Sequence, residues 1–336
     1  MSSLPLKILV TGGAGFIGSH LVELLVAEGF KVSVIDNLSV GKLSNLKSVS
    51  KKIEFFEDDV RSREVGMYFQ GVDCVIHLAA LADIVPSIER PEEYLEVNVQ
   101  GTIKVLENMR CHGVPRIVYA ASSSCYGIPE KYPTAETSSI SPEYPYALSK
   151  YLGELAVLHW MKVYGISGIS LRLFNVFGNR ARTKGTYGAV LGVFIGQKLA
   201  NLPLTIVGDG SQMRDFIYVK DVARAFKLAA LSSRTNEIYN VGSGIPVSVK
   251  HLADSISDNQ VHIPKRPGEP DITHADIGKI VSELGWEPQY TFLEGLTEAF
   301  SDQASWQDSP AWTVEGIQEA TGAWFKNLGD SQSIHK

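Results

Sequence analysis

The chain is poor in cysteine: Cys74, Cys111 and Cys125 are the only three among 336 residues. So few, and so scattered, they exclude a disulfide scaffold and a cysteine-based zinc site. The eight histidines include no HExxH or comparable spacing, so no metal is expected. No uninterrupted apolar run approaches the ~20 residues that a membrane helix needs. The opening residues MSSLPLKILVTGG lack a signal-peptide core, so a cytoplasmic protein without a membrane partner is expected. Positive charge is not in excess either. The net charge of −6 argues against a nucleic-acid partner. Internal repeats and low-complexity tracts are missing. What is present is 44% hydrophobic and 20% charged residues, enough for a sizeable core, in a chain long enough for about two domains.

Short apolar runs alternate with helical patterns from residue 6 to about 125. LKILVTG, KVSVIDN, IEFFEDDV, DCVIHLAA and RIVYAASSS read as strands. FIGSHLVELLVAEG and YLEVNVQGTIKVLENMRCHG read as helices between them. Runs of this kind joined by helices predict βαβ units and an α/β fold with a parallel sheet covered on both faces. A long helix follows from about Pro145 to Gly165, then a strand at SGISLRLFN. Beyond residue 180 the alternation loosens: GVFIGQKLANL and VKDVARAFKLAAL read as helices, LTIVGDG and RDFIYV as short strands, and HIPKRPGEPDITHAD as a loop. Trp306, Trp312 and Trp324 lie in two short amphipathic stretches of the tail and read as packing anchors.

Between the first strand and the first helix lies Thr11-Gly12-Gly13-Ala14-Gly15-Phe16-Ile17-Gly18. Glycines at 12, 15 and 18 permit a tight turn, the close approach of a pyrophosphate and close packing of helix on sheet. The helix N-terminus behind them offers unpaired N–H groups to phosphate oxygens. The second strand ends at Asp36, where a carboxylate accepts from an adenosine ribose and repels a 2′-phosphate. The expected cofactor is therefore NAD rather than NADP, with Asn37 beside it. Asp59 and Val60 close the third strand near the adenine; Asp59 could accept from the adenine amino group or cap the next turn. Ala79 and Ala80 end the fourth strand as small cofactor neighbours, and His77 before them reads as a satisfied core histidine.

Ser122, Ser123 and Ser124 stand where the fifth strand runs out, at the edge where open parallel sheets bind ligands. Pro145-Tyr146-Ala147-Leu148-Ser149-Lys150 then opens a helix, which puts Tyr146 and Lys150 on one face. A phenol with a pKa of about 10 is a poor base at neutral pH. A neighbouring ammonium and a nicotinamide cation are expected to lower that value. Lys150 can also hold the nicotinamide ribose, and Ser122 can bond a substrate oxygen.

TGGAGFIG, DNLSVG, DDV, HLAA, VNVQGT, SSSCYG, PYALSK, RLFNVFG and GDGSQMRDFIYV occur in unbroken order. Together they resemble the extended short-chain dehydrogenase/reductases, in the branch of the nucleotide-sugar 4-epimerases. The resemblance runs from residue 6 to about 300 and does not cover the tail. It implies a Rossmann-type NAD-binding domain over residues 1–178 that carries the catalytic residues. A smaller α/β domain over 179–336, mainly for the nucleotide sugar, is implied with some chain crossing back. It also implies a homodimer built around the helices holding Asn98 and Tyr146, with Asn98 counted among the cofactor residues. Asn175, Arg214 and Arg266 match the family's contacts to the sugar and diphosphate; guanidinium suits bidentate phosphate binding. Tyr218 and Asp276 look structural.

Sugar 4,6-dehydratases resembling this chain carry Asp-Glu after the residue matching Ser122, whereas Ser123 and Ser124 stand here. Elimination of water then lacks its acid and base. UDP-glucuronate decarboxylases differ at the serine and Asn175 segments. Thr273 falls where strict galactose epimerases often have tyrosine, and the smaller residue leaves room for a 2-acetamido group; Ala82 lacks those enzymes' lysine. The expectation is an NAD-dependent 4-epimerase of UDP-N-acetylglucosamine/UDP-N-acetylgalactosamine, with UDP-glucose/UDP-galactose as a further pair. UDP-glucuronate 4-epimerase is the alternative, which would need a cation where Pro86 stands. A non-catalytic NAD-binding regulator is disfavoured because both Tyr146 and Lys150 are present.

Overall fold

In the computed structural model, residues 6–181, 190–302, 306 and 309–329 are described. β1 (Lys7–Thr11) passes through the glycine turn into α1 (Phe16–Ala27), followed by β2 (Lys31–Asp36), β3 (Ile53–Glu57) and β4 (Cys74–His77). Next come α2 (Ile84–Glu89), α3 (Pro91–Leu95), α4 (Gly101–His112), β5 (Arg116–Ser122) and α5 (Pro145–Tyr164). β6 (Ser167–Leu173), β7 (Asn175–Phe177), α6 (Val190–Leu199), β8 (Leu204–Val207), β9 (Met213–Arg214) and β10 (Phe216–Tyr218) follow. The remainder is α7 (Val219–Leu231), β11 (Glu237–Val241), β12 (Val247–Ser248), α8 (Val249–Asp254), β13 (Gln260–Ile263), α9 (Gly278–Leu284), α10 (Phe292–Ser301) and α11 (Val314–Leu328). No helix among the described residues is long and apolar enough to cross a membrane.

Seven strands form one parallel sheet in the order β11-β6-β5-β4-β1-β2-β3. Chain order reverses between β1 and β4, and the crevice at such a switch point is where open α/β sheets bind ligands. Central strands such as β5 (RIVYAAS) are buried on both faces, which is why they read as unbroken apolar runs. The Rossmann-type doubly wound fold expected from the sequence is the one found. β11 was not among the expected strands, yet it completes the sheet beside β6. Ile217, Phe226, Tyr239, Ile280 and Trp286 enter the same core as Ile8 and Val34, so the chain after residue 178 serves both layers. A second core gathers Phe194, Ile206, Leu252, Leu296, Trp306 and Ile317.

The single helix expected over 94–113 is broken. α3 is joined to α4 by a π-helical turn over Glu96–Gln100, which turns Asn98 inward. α5 starts on Pro145, whose missing N–H costs nothing at a helix start, and stops at Gly165 in the left-handed conformation.

Candidate active site

The glycine turn is shaped by contact as much as by sequence. Gly12 has φ +72°, and a Cβ there would stand 2.7 Å from the Ala79 backbone nitrogen. Only a glycine lets the end of β1 lie this close to the end of β4. Asp36 reaches back from β2, its two oxygens accepting from the N–H groups of Ala14 and Leu38, each at 2.9 Å. Burial raises its pKa, and those two N–H groups oppose the shift. A cleft of about 360 Å³ is lined by Gly12, Gly15, Phe16, Ile17, Asp36, Asn37, Asp59, Val60, Ala79 and Ala80, and also by Tyr146 and Lys150. A bare glycine turn at a helix N-terminus, an acidic residue closing β2, and a channel from there to Tyr146 fit a dinucleotide such as NAD.

Asp59 and Asn98 are both held by hydrogen bonds within the chain. Asp59 Oδ1 accepts from the backbone N–H and Nε of Arg61, while Oδ2 accepts from Arg61 Nη2 and Asn37 Nδ2. Those four bonds fill the carboxylate's roughly four acceptor positions and hold its pKa down to about 2, with Arg61 the main cause. Of the two readings, the turn cap is therefore the one present, and an adenine amino group would have to displace a partner. Asn98 is buried and does not line the cleft. Its Oδ1 accepts from the Leu81 N–H, and its Nδ2 donates to the Leu81 carbonyl and to Ser149 Oγ. It clamps the loop after β4 to α5.

His77 is a satisfied core histidine, as its surroundings in the sequence suggested. Its Nδ1 lies 2.6 Å from Thr11 Oγ1 and its Nε2 3.0 Å from Thr102 Oγ1. Thr102 donates to the Asn98 carbonyl, so it must accept from His77 Nε2–H, which leaves Nδ1 to accept from Thr11. Burial first, and the Lys150 charge second, lower the imidazole's pKa to about 3.

Lys150 is buried, with Nζ 4.4 Å from the centre of the Tyr119 ring. Desolvation lowers its pKa to about 7, opposed by the Glu154 carboxylate one turn further along α5. The Ser122 hydroxyl lies beside the Tyr146 phenol and Ser124 beside the neighbouring Tyr144, each opposing the effect of burial on the phenol it faces. Ser122 Oγ also accepts from the Ser124 N–H, a cap that fixes the turn. Among the described residues the Ser123 side chain has no hydrogen-bond partner, so the three serines do not share one task. The lowering expected from the Lys150 ammonium is absent: burial raises the Tyr146 pKa, the Ser122 hydroxyl is the opposing influence, and Lys150 is not among the causes. Desolvation of the phenolate outweighs its neighbours.

Two aromatic residues that the sequence left unmarked frame the phenol. The Tyr144 ring is parallel to Tyr146 at 6.4 Å, and the Tyr94 ring meets it edge-on at 6.5 Å. Behind Lys150, Glu154 forms a buried ion pair with Arg172 at 2.6 Å and accepts from Ser170. Tyr144 could have been suspected from its place two residues before Tyr146. Nothing in sequence marks Arg172 or Tyr94.

The expected substrate residues come together in two pairs. Thr273 Oγ1 donates to Asn175 Oδ1 at 2.7 Å, which leaves the amide N–H groups of Asn175 for another acceptor. Thr273 also accepts from the Asp215 N–H. Asp215, fully buried, accepts from Ser243, Gly244 and Ala275, tying the strand that carries Arg214 to its surroundings. Arg214 lines a second cavity of about 620 Å³ formed by segments 207–214 and 265–272. Its Nη2 donates to Glu269 at 2.7 Å, and Arg266 stands 3.8 Å from the same carboxylate. Two guanidinium groups facing one carboxylate make a setting suited to an anion. Asp276 accepts from the Gly278 N–H ahead of α9, and the Tyr218 ring is buried among Phe177 and Tyr290.

Residues 8–242 match the model of the NAD dependent epimerase/dehydratase family. A putative UDP-glucose 4-epimerase of Methanocaldococcus jannaschii is 41% identical over 298 residues, covering 86% of this chain and 95% of that protein. The solved structure of the UDP-N-acetylglucosamine 4-epimerase from Methanobrevibacter ruminantium M1, in complex with UDP-N-acetylmuramic acid, is 33% identical with a TM-score of 0.86. That match covers 90% of this chain and 99% of the other. UDP-glucose 4-epimerase from Thermotoga maritima with UDP-glucose is 34% identical with a TM-score of 0.84, covering 89% and 99%.

Proposed function

This chain belongs to the NAD-dependent epimerase/dehydratase family, and we propose that within it the protein reversibly epimerises UDP-N-acetylglucosamine and UDP-N-acetylgalactosamine at C4, with UDP-glucose and UDP-galactose as a further pair. The observation that carries this reading is that Tyr146 and Lys150 line the same cleft as the glycine turn and Asp36. Bound NAD+ would supply the two-electron acceptor and, in the return step, the donor. Ser122 and Tyr146 would hold the sugar 4-oxygen between them. Tyr146 would take the hydroxyl proton as the carbon is oxidised, and return it once the 4-keto sugar has turned its other face to the cofactor. The proton and the two electrons go back to the sugar, so the cofactor ends each cycle as it began and has no reason to leave. Lys150 would hold the nicotinamide ribose.

Tyr146 enters this chemistry with a raised pKa. The positive charge of NAD+ beside the phenol would favour the phenolate and so tie deprotonation to a loaded site. Elimination lacks a carboxylate acid or base after Ser122, where Ser123 and Ser124 stand. Asn175, Arg214 and Arg266 would hold the sugar and diphosphate. The small Thr273, fastened to Asn175, leaves space that a tyrosine would fill, which favours the 2-acetamido sugars. A glucuronate 4-epimerase would need a cation near C6, and Pro86, expected in a loop but buried in α2, stands where some relatives place arginine.

We further propose a homodimer through α5, whose Leu148 and Leu155 share one face and are 42% and 41% exposed. Residues 1–178 would carry cofactor and chemistry, and 179–336 mainly the nucleotide sugar. The test is to incubate purified protein, without added NAD, separately with UDP-N-acetylglucosamine, UDP-glucose and UDP-glucuronate and to resolve the products. The expected outcome is a C4 epimer from the first, and more slowly from the second. An epimer from glucuronate alone would move the assignment to the alternative, and no product from any would refute it.

A further inference from the structure

The recognisable motifs end at about residue 300, and the chain then adds α11. Ile317, Thr321 and Trp324 form its buried face, and α11 packs against α2. Trp324 is 4% exposed, which by itself would make it a packing residue. Its contacts say more. Its indole N–H donates to the Pro267 carbonyl at 2.7 Å. The Arg266 guanidinium lies 5.6 Å from the centre of its ring. The Tyr144 ring lies 6.3 Å away on another side. One side chain from the tail thus touches the backbone and the cation of the loop that carries Arg266, and also the aromatic neighbour of Tyr146.

Glu269 stands 3.8 Å from the Arg266 guanidinium and gives its closer bond to Arg214. A long, flexible arginine loses much rotamer freedom on binding an anion, and an aromatic face that holds the guanidinium beforehand reduces that loss. We infer that Trp324 is a positioning residue for the nucleotide sugar. In this inference, α11 fastens the 266–267 loop so that Arg266 is already oriented for the diphosphate, and the tail beyond the family's motifs sets how tightly substrate is held. The inference rests on the reading of this site as one for a nucleotide diphosphate sugar.

The test uses the full chain carrying Trp324→Leu, which keeps an apolar side chain of some bulk, and Trp324→Phe, which keeps the aromatic face but loses the indole N–H. UDP binding is measured by calorimetry, with retained NAD and thermal melting as checks on the fold. Trp324→Leu is expected to weaken UDP binding by about fivefold and to raise KM for the UDP-sugar by a similar factor with kcat little changed. Trp324→Phe is expected to restore most of the affinity. In an Arg266→Gln background Trp324→Leu should have little further effect, because the two act through one contact. Unchanged UDP affinity in a Trp324→Leu protein that retains its NAD would overturn the inference, as would full additivity with Arg266→Gln. If Trp324→Leu fails to keep NAD, the Trp324→Phe protein decides: affinity near wild type supports the aromatic contact, and a loss as great as that of Arg266→Gln overturns it. Wild-type protein that binds no UDP would instead refute the nucleotide-sugar reading, and the inference with it.

Discussion

Tyr146 and Lys150 sit one helical turn apart and share a burial problem with opposite signs. Desolvation disfavours the charged form of each, so it raises the phenol and lowers the ammonium to about 7. Tyr146→Phe removes the proton relay but little volume. Epimerisation is expected to fall by about 10²- to 10⁴-fold while bound NAD and the melting temperature stay near wild type; chromatography of the sugar products checks it. Lys150 also bears on stability. Its folded pKa lies below the ~10.4 of an unfolded lysine, so between about pH 7 and 10 the unfolded chain holds a proton that the folded one has lost. Stability of the wild type therefore rises with pH across that window, and the cost of the buried charge is complete below it. Lys150→Met is expected to melt higher than wild type at pH 6, by on the order of 2 kcal/mol, with the difference closing towards pH 10. A gap that widens with rising pH would contradict a buried, depressed lysine.

Among the elements, α5 carries most of the chemistry and rests on a charged support. Glu154 and Arg172 are buried to 1% and 4% side-chain exposure and are joined at 2.6 Å, with Ser170 and Tyr126 completing their bonds. Burial alone would lower the arginine's pKa, but the carboxylate against it drives the value above its ordinary range. Removing one partner strands the other, so Glu154→Leu is expected to cost about 3–5 kcal/mol. Adding Arg172→Met to it should recover most of that loss. Denaturant unfolding of the three variants distinguishes this from a simple sum, in which the double variant would be the least stable. The same scale shows where pattern reading stops. The π turn before α4 breaks an expected continuous helix, because turning Asn98 inward to bond Leu81 and Ser149 is a long-range requirement. β11 is short and only half buried at its start, so its sequence gave a weaker strand signal than the central strands did.

For the whole molecule, the sheet order places the ends of β1 and β4 together, and the glycine turn, Asp36 and Tyr146 meet there although 134 residues separate Gly12 from Tyr146. The proposed dimer belongs to this scale as well. Leu155→Lys is expected to give a monomer by analytical ultracentrifugation at micromolar concentration, since an unpaired charge in an apolar helix–helix contact is strongly unfavourable. A wild-type protein that sediments as a monomer would remove the proposal, and an unchanged dimer in the variant would move the interface elsewhere.

What the residues determined by themselves was whatever depends on short spacing. Apolar runs of strand length between helical patterns specify a doubly wound parallel sheet, the glycines after β1 specify a phosphate-binding turn, and an i, i+4 tyrosine and lysine must share a helix face. Tertiary structure decided how each side chain's bonding capacity is spent. Asp59 is filled by Arg61 and Asn37, Asn98 clamps a loop, Asn175 is fastened by Thr273, and Trp324 leans on Arg266 from beyond the motifs. It also decided that burial, and not the Lys150 charge, is the main influence on the Tyr146 phenol. Spacing along a chain fixes which faces residues share, but hydrogen-bond saturation and desolvation depend on neighbours that only folding brings into contact.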